Sequence, residues 1–341
     1  MMENGKIKVW LPTIHTGSGT EIFTRRLADA LKSLGLVVQI SWFPLSRELM
    51  PFLLKNTPPP VGTDIIFANS WNGFAFKRTG LPLVVTVHHA AFDPAATIYH
   101  SLAQRLYHRL LIRPFEMRSF SKADVITAVS HFAANAVSRA TGRKNIQVIY
   151  NWVDTHRFYP SADTLRDKKP FRLLFVGKLS RIKGADLLAP IMRCLGTDFE
   201  LRIAGELRDG KNNRYPENMH ALGWLDEEAL IQAYQDCDAL LFPSRFEGFG
   251  YAALEAMACG KPVIASNSSA FPEIIEDGVT GLLCAMNDVS AFVRACEMLA
   301  DNKDQCRAMG VAGRQHAVTM FSEQAVMPKY IDLIKQLVRN T

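Results

Sequence analysis

Apolar residues along the 341-residue chain fall into short runs separated by longer stretches of helical spacing, and this alternation repeats many times. Positions 7–11 form an apolar run and a loop rich in Thr, Ser and Gly follows (Thr16-Gly17-Ser18-Gly19-Thr20). Ile22, Leu27, Ala30, Leu31 and Leu34 then recur close to helical spacing over 21–34, which predicts a strand, a glycine loop and a helix. Further strands are predicted at 37–40, 64–68, 83–88 and 125–129, with a long helical stretch over 97–120. Residues 150–169 turn polar, punctuated by Pro160 and followed by Pro170, and read as a connector. The alternation then restarts, with strands at 172–176, 200–204, 239–242 and 262–266 and helices at 185–194, 226–235 and 250–259. Strands alternating with helices predict parallel sheets covered on both faces. Two such runs about one connector predict an α/β chain of two doubly wound, Rossmann-like domains, 1–160 and 161–320, with 321–341 as a C-terminal helical segment. The length also exceeds what one hydrophobic core usually supports. Ligands of such sheets lie beyond the carboxyl ends of the strands, so a cleft between the halves is the expected site.

Composition narrows the class. With 48% hydrophobic and 21% charged residues, the chain is ordinary globular protein, and disordered, collagen-like and coiled-coil readings are excluded. No apolar run approaches the ~18–20 residues of a membrane span. The opening Met1-Met2-Glu3-Asn4-Gly5-Lys6 lacks the regions of a signal peptide, so a cytoplasmic chain is expected. Six scattered cysteines without C-x-x-C spacing read as small core residues in a reducing compartment. Charge is uneven: up to Pro160 there are 18 Lys+Arg against 9 Asp+Glu, leaving 21 against 24 for the remainder. A basic first half suits an anionic partner such as a membrane surface or an acidic acceptor. No zinc finger, RRM aromatic motif or basic recognition helix is visible, so no nucleic-acid partner is expected.

The most informative stretch runs Pro243-Ser244-Arg245-Phe246-Glu247-Gly248-Phe249-Gly250-Tyr251-Ala252-Ala253-Leu254-Glu255-Ala256-Met257-Ala258-Cys259-Gly260-Lys261-Pro262. A strand ends at Phe242, two glycines allow close backbone approach, and a helix starts near Gly250. Free backbone N–H groups and the positive end of a helix dipole suit a phosphate. Glu247 and Glu255 flank that helix start, and carboxylates accept hydrogen bonds from sugar hydroxyls. From spacing alone the two glutamates read equally well as a helix cap and a surface ion pair. Asp236-Cys237-Asp238 matches a D-x-D metal site superficially, but a helix end running into a buried strand explains it better, and no metal site is expected.

The stretch closely resembles the retaining glycosyltransferases of the GT-B fold, family four. Phe175-Val176-Gly177-Lys178-Leu179-Ser180-Arg181-Ile182-Lys183-Gly184 resembles that family's second-domain G-R-L-x-x-x-K-G segment, and Asn151-Trp152-Val153-Asp154-Thr155-His156-Arg157-Phe158 its N-G-V-D-x-x-x-F linker. Ser18-Gly19-Thr20-Glu21 resembles its first-domain G-G-x-E loop, and Val85-Thr86-Val87-His88 its T-V-H. The five matches stand in family order over nearly the whole chain. The resemblance implies that Lys178 and Lys183 face the β-phosphate of a nucleotide sugar, where leaving-group charge must be met by fixed cations. Lys178 stands where the family usually has Arg, losing a bidentate fork. Gly19 and Gly250 would supply backbone donors, Phe249 and Tyr251 would flank the donor, Glu255 would hold ribose hydroxyls, Glu247 would hold the transferred sugar, and His88 would line the reaction centre. Gly205, in Gly205-Glu206, and Leu225, in Gly223-Trp224-Leu225, resemble places where the family's backbone meets the base. Trp152 replaces the usual Gly of the linker, as a stiffener or simply as packing. The last helix, 323–338, is expected to cross back to the first domain, as in the family.

The acceptor side carries less signal. Arg105, Arg109 and Arg113 follow at four-residue steps beside Leu102, Leu106 and Leu110. This is equally the pattern of a peripheral enzyme on anionic lipid and of an ordinary amphipathic helix with leucines in the core. With the basic first half, it points to a lipopolysaccharide or other lipid-linked glycan acceptor at the inner membrane face. The expected activity is retaining hexosyl transfer from a UDP- or GDP-sugar without metal or other cofactor. A nucleotide-sugar 2-epimerase lacks placeable acid and base carboxylates here, and a catalytically silent sugar-nucleotide-binding subunit would not need the full donor set. A dehydrogenase fits less well, because Gly17-Ser18-Gly19 does not extend into G-x-G-x-x-G.

Overall fold

The computed structural model describes residues 6–17, 19–89, 93–161, 169–205 and 215–339. The chain forms two compact units, Met1–Asn151 with Val326–Thr341, and Trp152–Ala325. Each contains one six-stranded sheet whose paired strands all run parallel.

In the first unit the strands are β1 (Lys8–Ile14), β2 (Val37–Phe43), β3 (Ile65–Asn69), β4 (Leu83–Val87), β5 (Val125–Ala128) and β6 (Ile146–Val148), in the order β2-β1-β3-β4-β5-β6. The central β4 is buried along its whole length and β3 along all but its last residue, which is why both read as unbroken apolar runs rather than alternating ones. Helix Gly19–Ser33 buries Phe23, Leu27, Ala30 and Leu31. Helix Glu323–Arg339 buries Val326, Met327, Tyr330, Leu333 and Ile334, a helical stripe. Its Tyr330 ring lies 6.5 Å from Phe23 and 6.2 Å from Phe67, so the chain's end packs on the first sheet.

The second unit carries β7 (Phe171–Val176), β8 (Phe199–Ala204), β9 (Met219–Gly223), β10 (Ala239–Phe242), β11 (Val263–Ser266) and β12 (Gly281–Cys284), in the order β12-β11-β10-β7-β8-β9. The units divide at 151/152 rather than at 160/161, because the connector's start is tied into this unit. Val153 N–H donates to the Phe321 carbonyl at 2.9 Å, and Arg314 donates to the carbonyls of Thr155, Phe158 and Ala258. Trp152 is buried there, a packing role.

The stretch 97–120 is not one helix. It comprises a short turn of helix Pro94–Thr97, helix Leu102–Tyr107, a π turn His108–Ile112 and helix Arg113–Lys122. Ser101 and Gln104 form a reciprocal capping box that starts a new helix, and Pro114 has no N–H to offer the carbonyl one turn back, which loosens the spiral there. Leu102, Leu106 and Leu110 are 81%, 58% and 60% exposed, so the reading that placed them in the core is overturned. Among the described residues no helix is long and apolar enough to cross a membrane.

Candidate active site

Each sheet has one place where the strand order reverses, and the expected residues gather at the carboxyl ends there. In the second unit that place lies between β7 and β10. After β7 the chain passes Gly177 and the exposed Lys178 and makes a short turn, Arg181–Lys183. After β10 it enters the loop Pro243 to Phe249 and then helix Tyr251–Ala258, with Gly250 at φ 105 as its N-cap. Lys183 Nζ donates to Glu247 Oε1, which also accepts from the Ser244 hydroxyl at 2.9 Å. The Glu247 backbone N–H is held by Ser269 at 3.0 Å. Lys183 therefore stands beside the carboxylate expected to bind sugar, and the two sequence segments meet as an ion pair in a nearly closed setting, with side chains 30% and 10% exposed.

What fixes these two loops against each other is an arginine that the sequence reading passed over. Arg245 is 6% exposed. Its guanidinium grips Asp186 at 2.6 and 2.9 Å, donates to Asn287 at 2.6 Å, and also donates to the Arg181 carbonyl. Burial works against the Asp186 charge, yet the Arg245 hydrogen bonds and charge hold its carboxyl below the usual range. The Arg245 N–H and the Ser244 hydroxyl both bind the Ile182 carbonyl, at 2.9 and 3.2 Å. A buried bidentate arginine is a rigid clamp, and its signal lay in the x positions of P-S-x-x-E, where composition alone gives no pairing partner.

Glu255 lies one face along helix Tyr251–Ala258, 7% exposed, and its Oε2 accepts from the Tyr234 hydroxyl at 3.1 Å. Phe249 is buried, with ring centroids of Tyr251 and Phe321 at 5.8 and 5.9 Å, so its side chain packs inward. Gly205 sits at the end of β8 with φ 156, and a Cβ there would stand 2.7 Å from the Gly177 carbonyl oxygen. Gly205 and Gly223 form a bridge, bringing the carboxyl ends of β7, β8 and β9 together. Leu225 is partly buried beyond β9 and Trp224 is 70% exposed; Glu206 lies outside the described residues. Cys237 is buried, Asp238 accepts from Arg172 N–H at 2.7 Å and Asp236 from Gln232 at 2.9 Å. Those carboxylates terminate and join secondary structure, and no cluster of three metal-ligating side chains occurs among the described residues.

The first unit reverses its strand order between β1 and β3, and there the structure has a cavity of about 290 Å³. Ile14, Asn69 and His88, at the ends of β1, β3 and β4, line it together with Leu45, Glu48 and Trp71. His88 Nε2 is 3.1 Å from Asn69 Oδ1 and its ring packs edge-on to Phe23 at 4.5 Å. Burial, with a lesser push from His89, holds its pKa down to about 3, so the ring is neutral at physiological pH. Gly19 opens helix Gly19–Ser33 with empty space beside it, and Glu21 accepts from Gly17 N–H at 3.2 Å and from Arg25 at 2.9 Å. Ser18 lies outside the described residues. Arg105 donates to the carbonyls of Thr97, Ile98 and His100 at 2.9, 3.2 and 3.1 Å, so it folds over its own loop, whereas Arg109 and Arg113 are exposed.

Behind the cavity wall lies a group the sequence did not single out. Glu116 is fully buried, its Oε1 accepting from Ser70 at 2.8 Å. Burial pushes its pKa up to about 8, against the smaller pull of hydrogen bonds from Ser70 and Trp71. A carboxyl whose pKa is raised on folding stabilises fully below the unfolded value and loses that contribution as pH rises through about 8. The variant Glu116→Gln is therefore expected to match the wild type near pH 4 and to exceed it increasingly up to pH 8, by about 2–4 kcal/mol at that end. Thermal melts across that range check this, and parallel pH dependences for the two proteins would refute it.

Two parallel six-stranded sheets, each with a glycine-containing loop after a strand at its switch point, and Glu247 and Glu255 after β10 in the second unit, define an α/β protein of two Rossmann-like units. Sequence models for glycosyl transferases group 1 and glycosyltransferase family 4 match residues 160–316 and 39–157. The chain belongs to the group 1 glycosyltransferases of GT-B type. It is 28% identical to N-acetyl-alpha-D-glucosaminyl L-malate synthase of Bacillus anthracis, over 64% of this chain and 61% of that protein. Matches to three curated relatives span 62%, 76% and 61% of their lengths. The fold is similar to that of sucrose-phosphate synthase from Thermosynechococcus elongatus (TM-score 0.85, 22% identity, 98% of this chain and 100% of that one). It is also similar to that of Anabaena HepE in complex with UDP and glucose (TM-score 0.75, 18% identity, 97% and 100%).

Proposed function

We propose that the protein transfers a hexose, with retention and without metal, from a UDP- or GDP-sugar to a hydroxyl of lipopolysaccharide or another lipid-linked cell-surface glycan on the cytoplasmic side of the membrane. The observation that carries this reading is the Lys183–Glu247 pair, on loops that follow the adjacent strands β7 and β10 and are locked by Arg245. Lys183, with Lys178 nearby in sequence, meets the diphosphate. The positive dipole end of helix Tyr251–Ala258, which starts at Gly250, adds to the attraction for the diphosphate. Glu255 accepts from ribose hydroxyls and Glu247 from those of the sugar. As the bond from the anomeric carbon to the phosphate oxygen breaks, its electron pair moves to that oxygen, and the fixed cations stabilise the growing charge. The acceptor hydroxyl enters on the same face and passes its proton to the departing phosphate oxygen.

The relatives fit a sugar-nucleotide donor, because the HepE protein was solved with UDP and with UDP-glucose. The test is a thermal-shift screen of UDP, GDP and their sugar conjugates with and without chelator, followed by NMR of the sugar released on slow donor hydrolysis. Stabilisation by one nucleotide family regardless of chelator, and free sugar of unchanged anomeric configuration, are expected. Inverted sugar, or binding and turnover that vanish with chelator, would overturn the mechanism.

A further inference from the structure

The exposure of Leu102, Leu106 and Leu110 belongs to a larger feature. The segment 45–53, which the sequence reading left without a role, forms two short turns, Leu45–Glu48 and Pro51–Leu54, and exposes Leu45, Leu49, Met50, Phe52 and Leu53, each 43–55% accessible. Segment 98–110 exposes Ile98, Leu102, Leu106 and Leu110, each 58–81% accessible. The Tyr107 hydroxyl donates to Glu48 Oε1 at 3.3 Å, joining the two segments beside the cavity. Nine large apolar side chains exposed on two linked segments exceed what scattered surface residues account for.

The charge around them selects the occupant. Segments 45–55 and 98–122 hold seven basic residues, Arg47, Lys55, Arg105, Arg109, Arg113, Arg118 and Lys122, against two acidic ones, Glu48 and Glu116. Burial pushes the carboxyls of both glutamates up, and two acidic groups are outnumbered by the seven cations in any case. The whole first unit has 20 Lys+Arg against 9 Asp+Glu, while the second has 19 against 24. A second copy would bring the same positive surface to this face, which opposes self-association. Nucleic acid would need the cations without the leucines. Apolar side chains beside a cation-rich border meet both layers of a bilayer interface at once, acyl chains below and anionic headgroups above.

We infer that the first unit docks on an anionic lipid bilayer through the apolar ridge of segments 45–53 and 98–110, with the surrounding arginines on the headgroups. The surface rests on the ridge, with Arg109 and Arg113 as its electrostatic border and Arg105 as a bracket for its loop. The inference deepens the proposed function, because a lipid-linked acceptor would enter the neighbouring cavity from the surface on which the unit rests.

The experiment is flotation of the full chain with phosphatidylcholine vesicles containing none or one third phosphatidylglycerol. Two double variants, Leu102→Glu with Leu106→Glu and Phe52→Glu with Leu53→Glu, change exposed side chains, and unchanged melting temperatures confirm folding. The wild type is expected to float only with the anionic vesicles, and each double variant to lose about tenfold or more in partitioning. Nucleotide-induced thermal shifts should stay unchanged in the variants, since Lys183, Glu247 and Glu255, the residues proposed to hold the diphosphate, sugar and ribose, lie in the second unit and none of the proposed donor residues is substituted, so failure of the lipid inference and failure of the donor reading are separable. Absence of wild-type binding, or variants that bind as well as the wild type, overturns the inference. So does concentration-dependent dimerisation in sedimentation that the same substitutions abolish, which would assign the ridge to a second copy.

Discussion

Replacing Lys183 with Ala is expected to weaken nucleotide-sugar binding by about 10- to 100-fold while leaving the fold intact. A hydrogen bond to a charged group contributes about 1.5–3 kcal/mol, and each ~1.4 kcal/mol is a factor of ten in affinity. Lys183 stands on a short turn whose shape is set by neighbours, not by its own ammonium: the clamp from Arg245 to Asp186 and the bonds to the Ile182 carbonyl remain when it is removed. Its present partner, Glu247, keeps the Ser244 hydroxyl and the backbone bond to Ser269. The carboxylate loses a cation but stays in place, so the loss is read on the ligand. Calorimetric titration with UDP or GDP, whichever stabilises the wild type, measures it. Affinity retained within a factor of two means that phosphate sits elsewhere. A Lys183→Arg variant should recover part of the affinity, because the charge returns on a bulkier and planar head.

The sequence was most readable where both faces of a strand are buried. β3, β4, β10 and β11 showed as apolar runs because nearly every residue in them is buried, whichever face it points to. The strands left unread, β6, β9 and β12, all lie at sheet edges. β6 has three residues, β9 exposes His220, Ala221 and Leu222, and β12 has only four residues after a turn. An edge strand has a neighbouring strand on one side only and is buried less evenly, so its apolar signature weakens; β2, the fourth edge strand, was read only over its Val37 to Ile40 start. Helix 97–120 failed for a related reason. Leucines at four-residue steps satisfy a helical period whether they face a core or a solvent-exposed ridge, and periodicity alone contains no information about what lies opposite. The same limit applies to the candidate site. Lys183, Glu247 and Glu255 were legible as motif positions, but the pairing of Lys183 with Glu247 spans 64 residues and the Arg245–Asp186 clamp 59. Such pairs are set by which strands become neighbours, and the β7–β10 adjacency is a property of the assembled sheet. Glu116 was silent for another reason: a single glutamate in a helix reads as surface until burial is known.

The largest effect on stability is expected from Gly184→Ala, and it separates the scaffold of the lysine turn from its chemistry. Gly184 closes the turn at φ 70, a left-handed conformation that costs a residue with a Cβ about 1–2 kcal/mol. Space forbids the substitution more strongly than the dihedral does. A Cβ at Gly184 would lie 2.0 Å from the Pro243 carbonyl oxygen and 2.7 Å from its carbon, and backbone cannot yield as the tip of a flexible side chain can. Pro243 begins the loop that carries Ser244, Arg245 and Glu247, so the clash must be relieved by parting the two loops. That movement lengthens the bonds from Ser244 and Arg245 to Ile182 and pulls Arg245 off Asp186, leaving a buried guanidinium short of partners. Strain and lost buried pairing together place the cost at about 4 kcal/mol or more. A chemical denaturation curve on the isolated variant should show the loss, and nucleotide affinity should fall with it even where the protein remains folded. Lys183→Ala, by contrast, should lower affinity at nearly constant stability. If Gly184→Ala melts with the wild type, the two loops are not packed through that glycine, and the rigidity assigned to the lysine turn has some other source.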